Sequence, residues 1–144
     1  MKPEEFIEIL KSGEVREISD LSYNLLHLTD MSTLKRLSKL VNEIETIVEG
    51  YNQFENEKVI SLKRILSFLI PISNNGCRCE KYSICSYPSF SEQKKGLIRI
   101  LAENHDIKTF QSNILCECVL CKRRFNVCEY EAGFGRRFDW KIII

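Results

Sequence analysis

The sequence predicts an α+β protein, with an antiparallel array of about four helices followed by a small, zinc-ribbon-like antiparallel β-sheet. Apolar residues recur at helical spacing in the first half of the chain and alternate with polar residues in the second half. All seven cysteines of the 144 residues also lie in the second half. The change of period and the cysteine distribution together indicate two regions of different architecture.

The two halves of the chain also differ in net charge. Residues 1–75 contain 9 basic and 12 acidic side chains, whereas residues 76–144 contain 12 basic and 8 acidic ones. The formal net charge is only +1, so the whole chain is not steered towards nucleic acid or acidic lipid. A hydrophobic content of 44% is ordinary for a globular domain.

Four helices are predicted in the first half. The first begins at Pro3, which suits a first helical turn, and ends before Gly13. The second covers 14–28, and Asp30 can cap a third that extends to Gly50. A polar loop at 51–56 leads to a fourth helix from Glu57, which we expect Pro71 to end. Short connections favour antiparallel neighbours.

The turn-forming cluster at 73–76 separates a helical region, 1–73, from a β region, 76–144, and we expect the two to pack as one unit. Strands are predicted at 96–101 and 107–117, joined by a turn at 104–106. Alternation resumes at Phe125 and Val127. A turn at 133–135 should return the chain through a last strand that contains Trp140. The sheet should therefore have three or four antiparallel strands.

The cysteines form two dense clusters, Cys77-Arg78-Cys79 and Cys116-Glu117-Cys118-Val119-Leu120-Cys121. Cys118 and Cys121 have the spacing that presents two thiolates to one zinc ion from a tight turn. Cys77 and Cys79 would face the same side of a strand and supply the other two ligands. Four cysteines describe a closed, structural zinc site. Buried thiols without metal are the alternative, which five thiols in two clusters disfavour.

Three other cysteines are harder to place from spacing. Cys116 shares a strand face with Cys118, so it could replace one of the four ligands. Cys85 and Cys128 stand apart from both clusters. In a reducing compartment such thiols serve as metal ligands more readily than as disulfides.

No residue pattern indicates catalysis. His27 lies beside the apolar stripe of a predicted helix. His105 falls in a predicted turn next to Asp106, and we expect the side chains of His105 and Asp106 to be solvated there. A catalytic zinc site keeps an open position and commonly includes histidine or carboxylate, which the cysteine clusters lack. We therefore expect the protein not to be an enzyme.

The N-terminal residues are acidic and no apolar segment follows them, unlike a secretory signal. The apolar stretch at 65–72 is too short to cross a bilayer. A cytoplasmic protein with no membrane association is the expectation. An alternative function comes from the basic residues near the last hairpin, which could bind nucleic acid with aromatic neighbours: Lys122, Arg123, Arg124, Arg136 and Arg137. A solvated hairpin edge explains the same charges and is favoured.

The second half resembles a group of small bacterial proteins of uncharacterised biochemistry. The residues that match the group's motif are Cys77, Cys79, Tyr82, Pro88, Glu92, Gly96, Cys116, Cys118, Cys121, Phe125, Val127, Glu129 and Trp140. The group tends to have glycine where this chain has Lys122. The resemblance implies a metal-stabilised, non-enzymatic accessory protein. Proteins of this kind are similar to immunity proteins of bacterial toxin systems, which implies a protein partner such as a toxin domain.

Overall fold

The computed structural model describes residues 1–51 and 56–144. Helices precede a four-stranded antiparallel sheet, which confirms the predicted α+β fold class. The chain divides into two compact units, Met1–Glu80 and Lys81–Ile144, and each is described by itself. Within the described residues, no helix has both the length and the apolar character needed to cross a membrane.

The described residues of the first unit form five helices: α1 (Pro3–Ser12), α2 (Val15–Leu26), α3 (Met31–Ser38), α4 (Val41–Gly50) and α5 (Asn56–Ser73). The long helix α5 packs against α2, α3 and α4, so it forms the centre of this unit. Its side chains Leu62, Ile65 and Phe68 are fully buried. The predicted caps are partly present, since Asp30 accepts hydrogen bonds from the backbone of Ser32 and Thr33 at 3.2 Å.

The prediction of a single third helix is wrong, because the structure has two helices there, α3 and α4, which are separated at Lys39 and Leu40. The Leu40 N–H donates to the Leu37 carbonyl at 3.0 Å, a tight turn that ends α3. Apolar residues continue at helical spacing across the break, so the sequence pattern alone cannot locate it. The two shorter helices each contact α5.

Pro71 does not end the fourth predicted helix, since α5 continues through it to Ser73. Pro71 has no N–H to bond to the Ser67 carbonyl, but only two residues of the helix follow it, so any disruption is confined to the last turn. The Pro71 carbonyl then accepts the Gly76 N–H at 2.7 Å, which closes the turn after the helix. A side chain at Gly76 would place its Cβ 2.5 Å from that carbonyl oxygen, so this position needs glycine. The loop predicted at 51–56 lies largely outside the described residues.

A short 3₁₀ helix, Arg78–Ser83, leads into the second unit, followed by α6 (Ser89–Lys94). The sheet has the order β1-β2-β3-β4, with strands β1 (Ile98–Asp106), β2 (Gln111–Cys118), β3 (Arg124–Glu131) and β4 (Arg136–Ile143). Every neighbouring pair is antiparallel. The sequence predicted neither of the two short helices, which have too few residues to show a period.

The turn between β1 and β2 differs from the prediction. Residues 104–106 belong to β1, and the chain turns at 107–110 instead. The turn between β3 and β4 is at the predicted place, where Gly133 and Gly135 have φ angles of 80° and 123°. The Ala132 N–H donates to the Gly135 carbonyl at 3.0 Å and closes it. Glycine tolerates this left-handed conformation because it has no Cβ.

One face of the sheet is buried. Its strands contribute Ile98, Ile114, Cys116, Phe125 and Val127, all at most 2% exposed. Tyr82 packs on this face, with its ring stacked on Trp140 at 3.9 Å between centroids. The same face leads along β2 to Cys118. The sheet therefore holds the end of β2, where the cysteine cluster begins, in a fixed position.

Candidate metal centre

The turn between β2 and β3 presents Cys118 and Cys121. The Cys118 N–H donates to the Arg123 carbonyl at 2.8 Å, and the Lys122 N–H donates to the Cys118 carbonyl at 3.0 Å. These two bonds close a tight turn directly after a buried strand. Lys122 adopts a φ of 66° to complete it. The local backbone therefore brings the two thiols of the Cys-x-x-Cys sequence to one side.

Cys77 and Cys79 lie where α5 has ended and the 3₁₀ helix begins, not on a strand as predicted. The Glu80 N–H donates to the Cys77 carbonyl at 3.1 Å, which is the first bond of this turn. Residues two apart in a 3₁₀ helix do not share a face in the way that strand residues do. The geometric reason given for pairing these thiols was therefore wrong, although the thiols do converge.

Four sulfur atoms form the cluster. Those of Cys77, Cys79, Cys118 and Cys121 all lie within 4.8 Å of one another. A tetrahedral ion with sulfur ligands at about 2.3 Å needs sulfur atoms about 3.8 Å apart, so a small inward movement is enough. Cys79 and Cys118 are buried, Cys77 is half-buried and Cys121 is exposed. The arrangement could hold a metal ion, and its donors are all thiols.

Cys116 lies outside this group of four. It is fully buried on the inner face of β2, opposite Phe125 of β3. Burial, followed by the charge of Cys118, raises the pKa of the Cys116 thiol to about 12. Cys116 is thus a neutral thiol of the sheet core. Cys85 and Cys128 are half-buried, lie outside the cluster, and like the other five cysteines of the described residues form no disulfide.

Three residues of the resemblance motif, Glu129, Gly96 and Trp140, have structural contacts or backbone conformations in the second unit. The Trp140 indole N–H donates to the Tyr87 carbonyl at 2.8 Å. Ser89 donates to the buried Glu129 carboxylate at 2.7 Å. Gly96 has a φ of 78° after α6, which a residue with a side chain adopts only under strain. These motif positions therefore have structural roles around the sheet that ends at Cys118.

A buried ion pair stands beside this aromatic core. The Lys81 ammonium lies 2.6 Å from the Glu92 carboxylate, and both side chains are at most 2% exposed. Lys95 approaches the second Glu92 oxygen at 3.3 Å. The Lys81 Nζ also lies 4.4 Å from the centre of the Tyr87 ring. Sequence reasoning missed Lys81, because no residue pattern shows that a lysine will be buried.

The charges of the ion pair shift the pKa values of Glu92 and of the neighbouring Tyr82. Burial raises the pKa of Glu92, but the hydrogen bond and charge of Lys81, with help from Lys95, outweigh burial and leave it below the ordinary value. Burial and the Glu92 charge raise the pKa of Tyr82 above its ordinary value. Glu92 is therefore a carboxylate and Tyr82 a neutral phenol at neutral pH.

We expect Glu92→Gln to be less stable than wild type at neutral pH. In acid, this difference in stability should disappear. The folded pKa of Glu92 is depressed below 4.5, so its contribution is present above that pH. It is lost as the pH falls through the folded pKa. Urea unfolding at a series of pH values measures the difference between the two proteins. Acid removes a thiolate-bound metal from both, so the difference isolates Glu92, and a gap that stays constant would contradict this assignment.

Lys122 occupies a left-handed backbone position at which most residues other than glycine are strained. We expect Lys122→Gly to stabilise the protein by about 1 kcal/mol, the strain relieved exceeding the added entropy of the unfolded chain. The denaturant midpoint measures this. Lys108→Gly, at a turn position without positive φ, is the matched control and should destabilise slightly. Equal effects at both positions would show that Lys122 is not strained.

The two histidines have ordinary polar contacts. The His27 ring lies 4.2 Å from that of Tyr23, and its Nδ1 lies 2.9 Å from the Tyr23 carbonyl. His105 is on β1, not in a turn beside Asp106 as predicted. Its Nδ1 lies 2.7 Å from the Ser112 hydroxyl and its Nε2 lies 3.3 Å from Glu103.

The basic residues of the last hairpin are divided between its two ends. Arg124 begins β3 opposite Ile143, whereas Arg136 and Arg137 lie opposite the end of β3. The two ends of β3 are seven residue steps apart, which is about 24 Å. Arg124 pairs with Glu117 at 3.2 Å, and Arg136 lies 3.6 Å from Glu131. The structure thus does not bring Lys122, Arg123 and Arg124 together with Arg136 and Arg137 into one patch.

No protein-family model matches this chain, and neither does any curated protein or any solved structure.

Proposed function

We propose that the four-cysteine cluster binds one zinc ion and that the ion has a structural role. The observation that supports this proposal is the convergence of four thiols, with no other type of donor in the cluster among the residues that the structure describes. Tetrahedral sites made of four sulfurs suit zinc or iron–sulfur chemistry, and zinc needs no redox partner or additional inorganic sulfide. Thiols at all four positions leave none for a water molecule or substrate. The metal would stabilise the end of the sheet and take no part in a reaction.

Around this centre, we propose a non-enzymatic module that binds another protein. The closed donor set and the structural roles of the motif residues Glu92, Glu129 and Trp140 support the non-enzymatic character. The protein partner is what the resemblance of the second half implies. The specific form of the proposal is an immunity protein that neutralises a bacterial toxin in the cytoplasm. That form comes from the resemblance of the second half alone.

Metal content tests the first proposal. Protein purified without chelator should contain about one equivalent of zinc by elemental analysis. A coloured, iron-containing product would replace zinc by an iron–sulfur centre, and a product without metal would contradict the site. The protein should also lose thermal stability when a strong chelator removes the ion.

Co-expression with the products of adjacent genes, followed by affinity capture, tests the binding role. A stoichiometric complex that also protects cells from the neighbouring product would support an immunity protein. A complex without protection would support only a binding module. No complex with any neighbour, together with a salt-dependent mobility shift of single-stranded DNA or RNA, would favour the nucleic-acid alternative.

A further inference from the structure

Strand β4 forms one edge of the sheet, because the strand order is β1-β2-β3-β4. Along an antiparallel strand, alternate residues point their backbone N–H and C=O away from the paired neighbour. The Phe138 N–H donates to the Ser86 hydroxyl at 3.0 Å, and that hydroxyl donates to the Phe138 carbonyl at 3.1 Å, so Phe138 faces the edge. By alternation, the backbone groups of Trp140 and Ile142 face the edge too. Within residues 1–51 and 56–144, no hydrogen bond satisfies these outward groups, so they can pair with another strand.

Other parts of the two sheet edges are protected against such pairing. At β1, the Ile100 N–H donates to the Gln93 side chain at 2.7 Å, and a bulge follows. The bulge, and the polar and charged residues at 103–106, discourage contact with another strand. On β4, the Ser86 hydroxyl occupies the middle of the edge. Residues 140–144 have no such protection, and we call them the open edge.

The open edge is rich in exposed aliphatic side chains. Ile142 and Ile143 are 52% and 43% exposed, and Ile144 is fully exposed. Ile142 lies opposite the buried Phe125, so it extends the apolar inner face of the sheet to the edge. A lipid surface would cover these side chains but would leave the outward N–H and C=O groups without partners. A β-strand covers the side chains and bonds to the backbone as well, so a strand is the occupant that fits.

A second copy of this chain supplies a strand in register. If a two-fold axis passes beside Ile142, the antiparallel open edges place Ile142 opposite Ile142 of the second copy and Trp140 opposite Ile144. Edge-facing residues are at even positions in both copies, so their outward N–H and C=O groups meet and can bond. The Ile142 side chains of the two copies then cover each other on the inner face. The paired segments stop before Phe138, so the Ser86 contact remains in place.

The charges of the open edge are compatible with this register. Lys141 would lie opposite Ile143 of the second copy, where its aliphatic stem covers the isoleucine. The two Lys141 residues would be diagonal neighbours, about 7–8 Å apart. Both are exposed, and Asp139 lies two residues away on the same face of the strand. Arg124, opposite Ile143 on β3, already pairs with Glu117. No two like charges are therefore directly opposite each other.

We infer that two copies of this chain pair through the open edge of β4 and form one eight-stranded sheet. Dimerisation does not depend on the proposed function, because the open edge contains none of the clustered cysteines. The β1 strands become the outer edges of the eight-stranded sheet. Their bulge and the Gln93 contact prevent further addition, so association should stop at the dimer. The shared edge is short, which favours weak association.

Sedimentation velocity tests the dimer, with a reductant present because the exposed Cys121 could otherwise form a disulfide between copies. Wild type should change from monomer to dimer as its concentration rises towards about 1 mM. Ile142→Lys should weaken the dimer at least about tenfold, because it opposes two ammonium groups across the axis. Ile142→Pro should do the same by removing an edge-facing N–H, while the bonds between β4 and β3 remain.

A matched variant and two spectroscopic measurements complete the experiment. Ile107→Lys makes the same substitution at an isoleucine that is 85% exposed in the turn between β1 and β2, and it should leave the dimer unchanged. Near-ultraviolet circular dichroism of Trp140, whose ring is stacked on Tyr82, checks the fold of each variant. Amide hydrogen exchange locates the contact, because the N–H groups of Trp140 and Ile142 should exchange more slowly as the concentration rises. The Lys141 N–H, which faces β3, should be protected at every concentration.

Four results would overturn the inference. Wild type that stays monomeric up to about 1 mM would show that the edges do not pair. Polymers longer than the dimer would show that the β1 edge is open. A dimer that both Ile142 variants leave intact, or that Ile107→Lys weakens equally, would place the contact elsewhere. Edge amides that become protected only when a different protein is added would make that protein the occupant.

Discussion

Replacement of Cys121 by serine should abolish metal binding and cause the largest loss of stability of any single substitution considered. Serine does not ionise at neutral pH, so three thiolates would remain to hold the ion. Metal binding in short zinc-finger peptides contributes about 10–16 kcal/mol, and whole domains are stable by about 5–15 kcal/mol. Loss of even part of the binding energy should unfold much of residues 76–144. Elemental analysis and thermal melting measure the two effects.

Exposure makes Cys121 the most informative of the four cysteines. Its side chain contributes little to core packing, since it is exposed. A large destabilisation by Cys121→Ser must therefore come from the lost ligand. Cys128→Ser, outside the cluster, should keep the metal and the melting temperature. Cys116→Ala should keep the metal but melt earlier, because it leaves a cavity in the sheet core.

The metal content of these variants separates the possible ligand sets. A Cys121→Ser protein that keeps its zinc and its fold would remove Cys121 from the site. Loss of zinc in Cys116→Ala, with retention in Cys121→Ser, would instead make Cys116 the fourth ligand.

Lys81→Met should cost about 3–5 kcal/mol, because it leaves the Glu92 carboxylate buried without its closest partner. Lys95 would remain, but it is 3.3 Å away and its side chain is 44% exposed, so water screens it. Urea unfolding at neutral pH measures the loss. The effect should be large even though methionine fills much of the space of lysine.

Two matched variants separate charge from packing. The double variant Lys81→Met with Glu92→Leu should recover most of the lost stability, because it removes the whole buried pair. Lys95→Met should cost no more than about 1 kcal/mol, as expected of an exposed partner. If the double variant is as unstable as Lys81→Met, the contact of the ammonium with Tyr87 dominates instead.

Periodicity was enough to predict the order of the fold. Helical spacing of apolar residues located α1, α2 and α5, and alternation located the hairpin of β3 and β4. Both signals work because burial of one face repeats every 3.6 residues in a helix and every second residue in a strand. The break between α3 and α4 gave no such signal, because the apolar spacing continues across it.

For the candidate site too, residue spacing predicted one part and missed another. Spacing in the sequence singled out Cys118 with Cys121 and paired them with Cys77 and Cys79, and these four sulfurs do lie together. The reason assigned to Cys77 and Cys79 was a strand, whereas a 3₁₀ turn presents them. A six-residue turn has no periodic pattern, and the glycine and carbonyl contacts that place it depend on the end of α5.

The sequence by itself determined the α+β order of elements and singled out five candidate thiols, because both follow from local spacing. The tertiary structure alone decided that Cys116 is a core thiol outside the cluster, that Lys81 and Glu92 form a buried pair, and that the basic residues of the last hairpin separate. Each of these depends on which residues meet across strands or between elements distant in the chain. Residue spacing along one element does not contain that information.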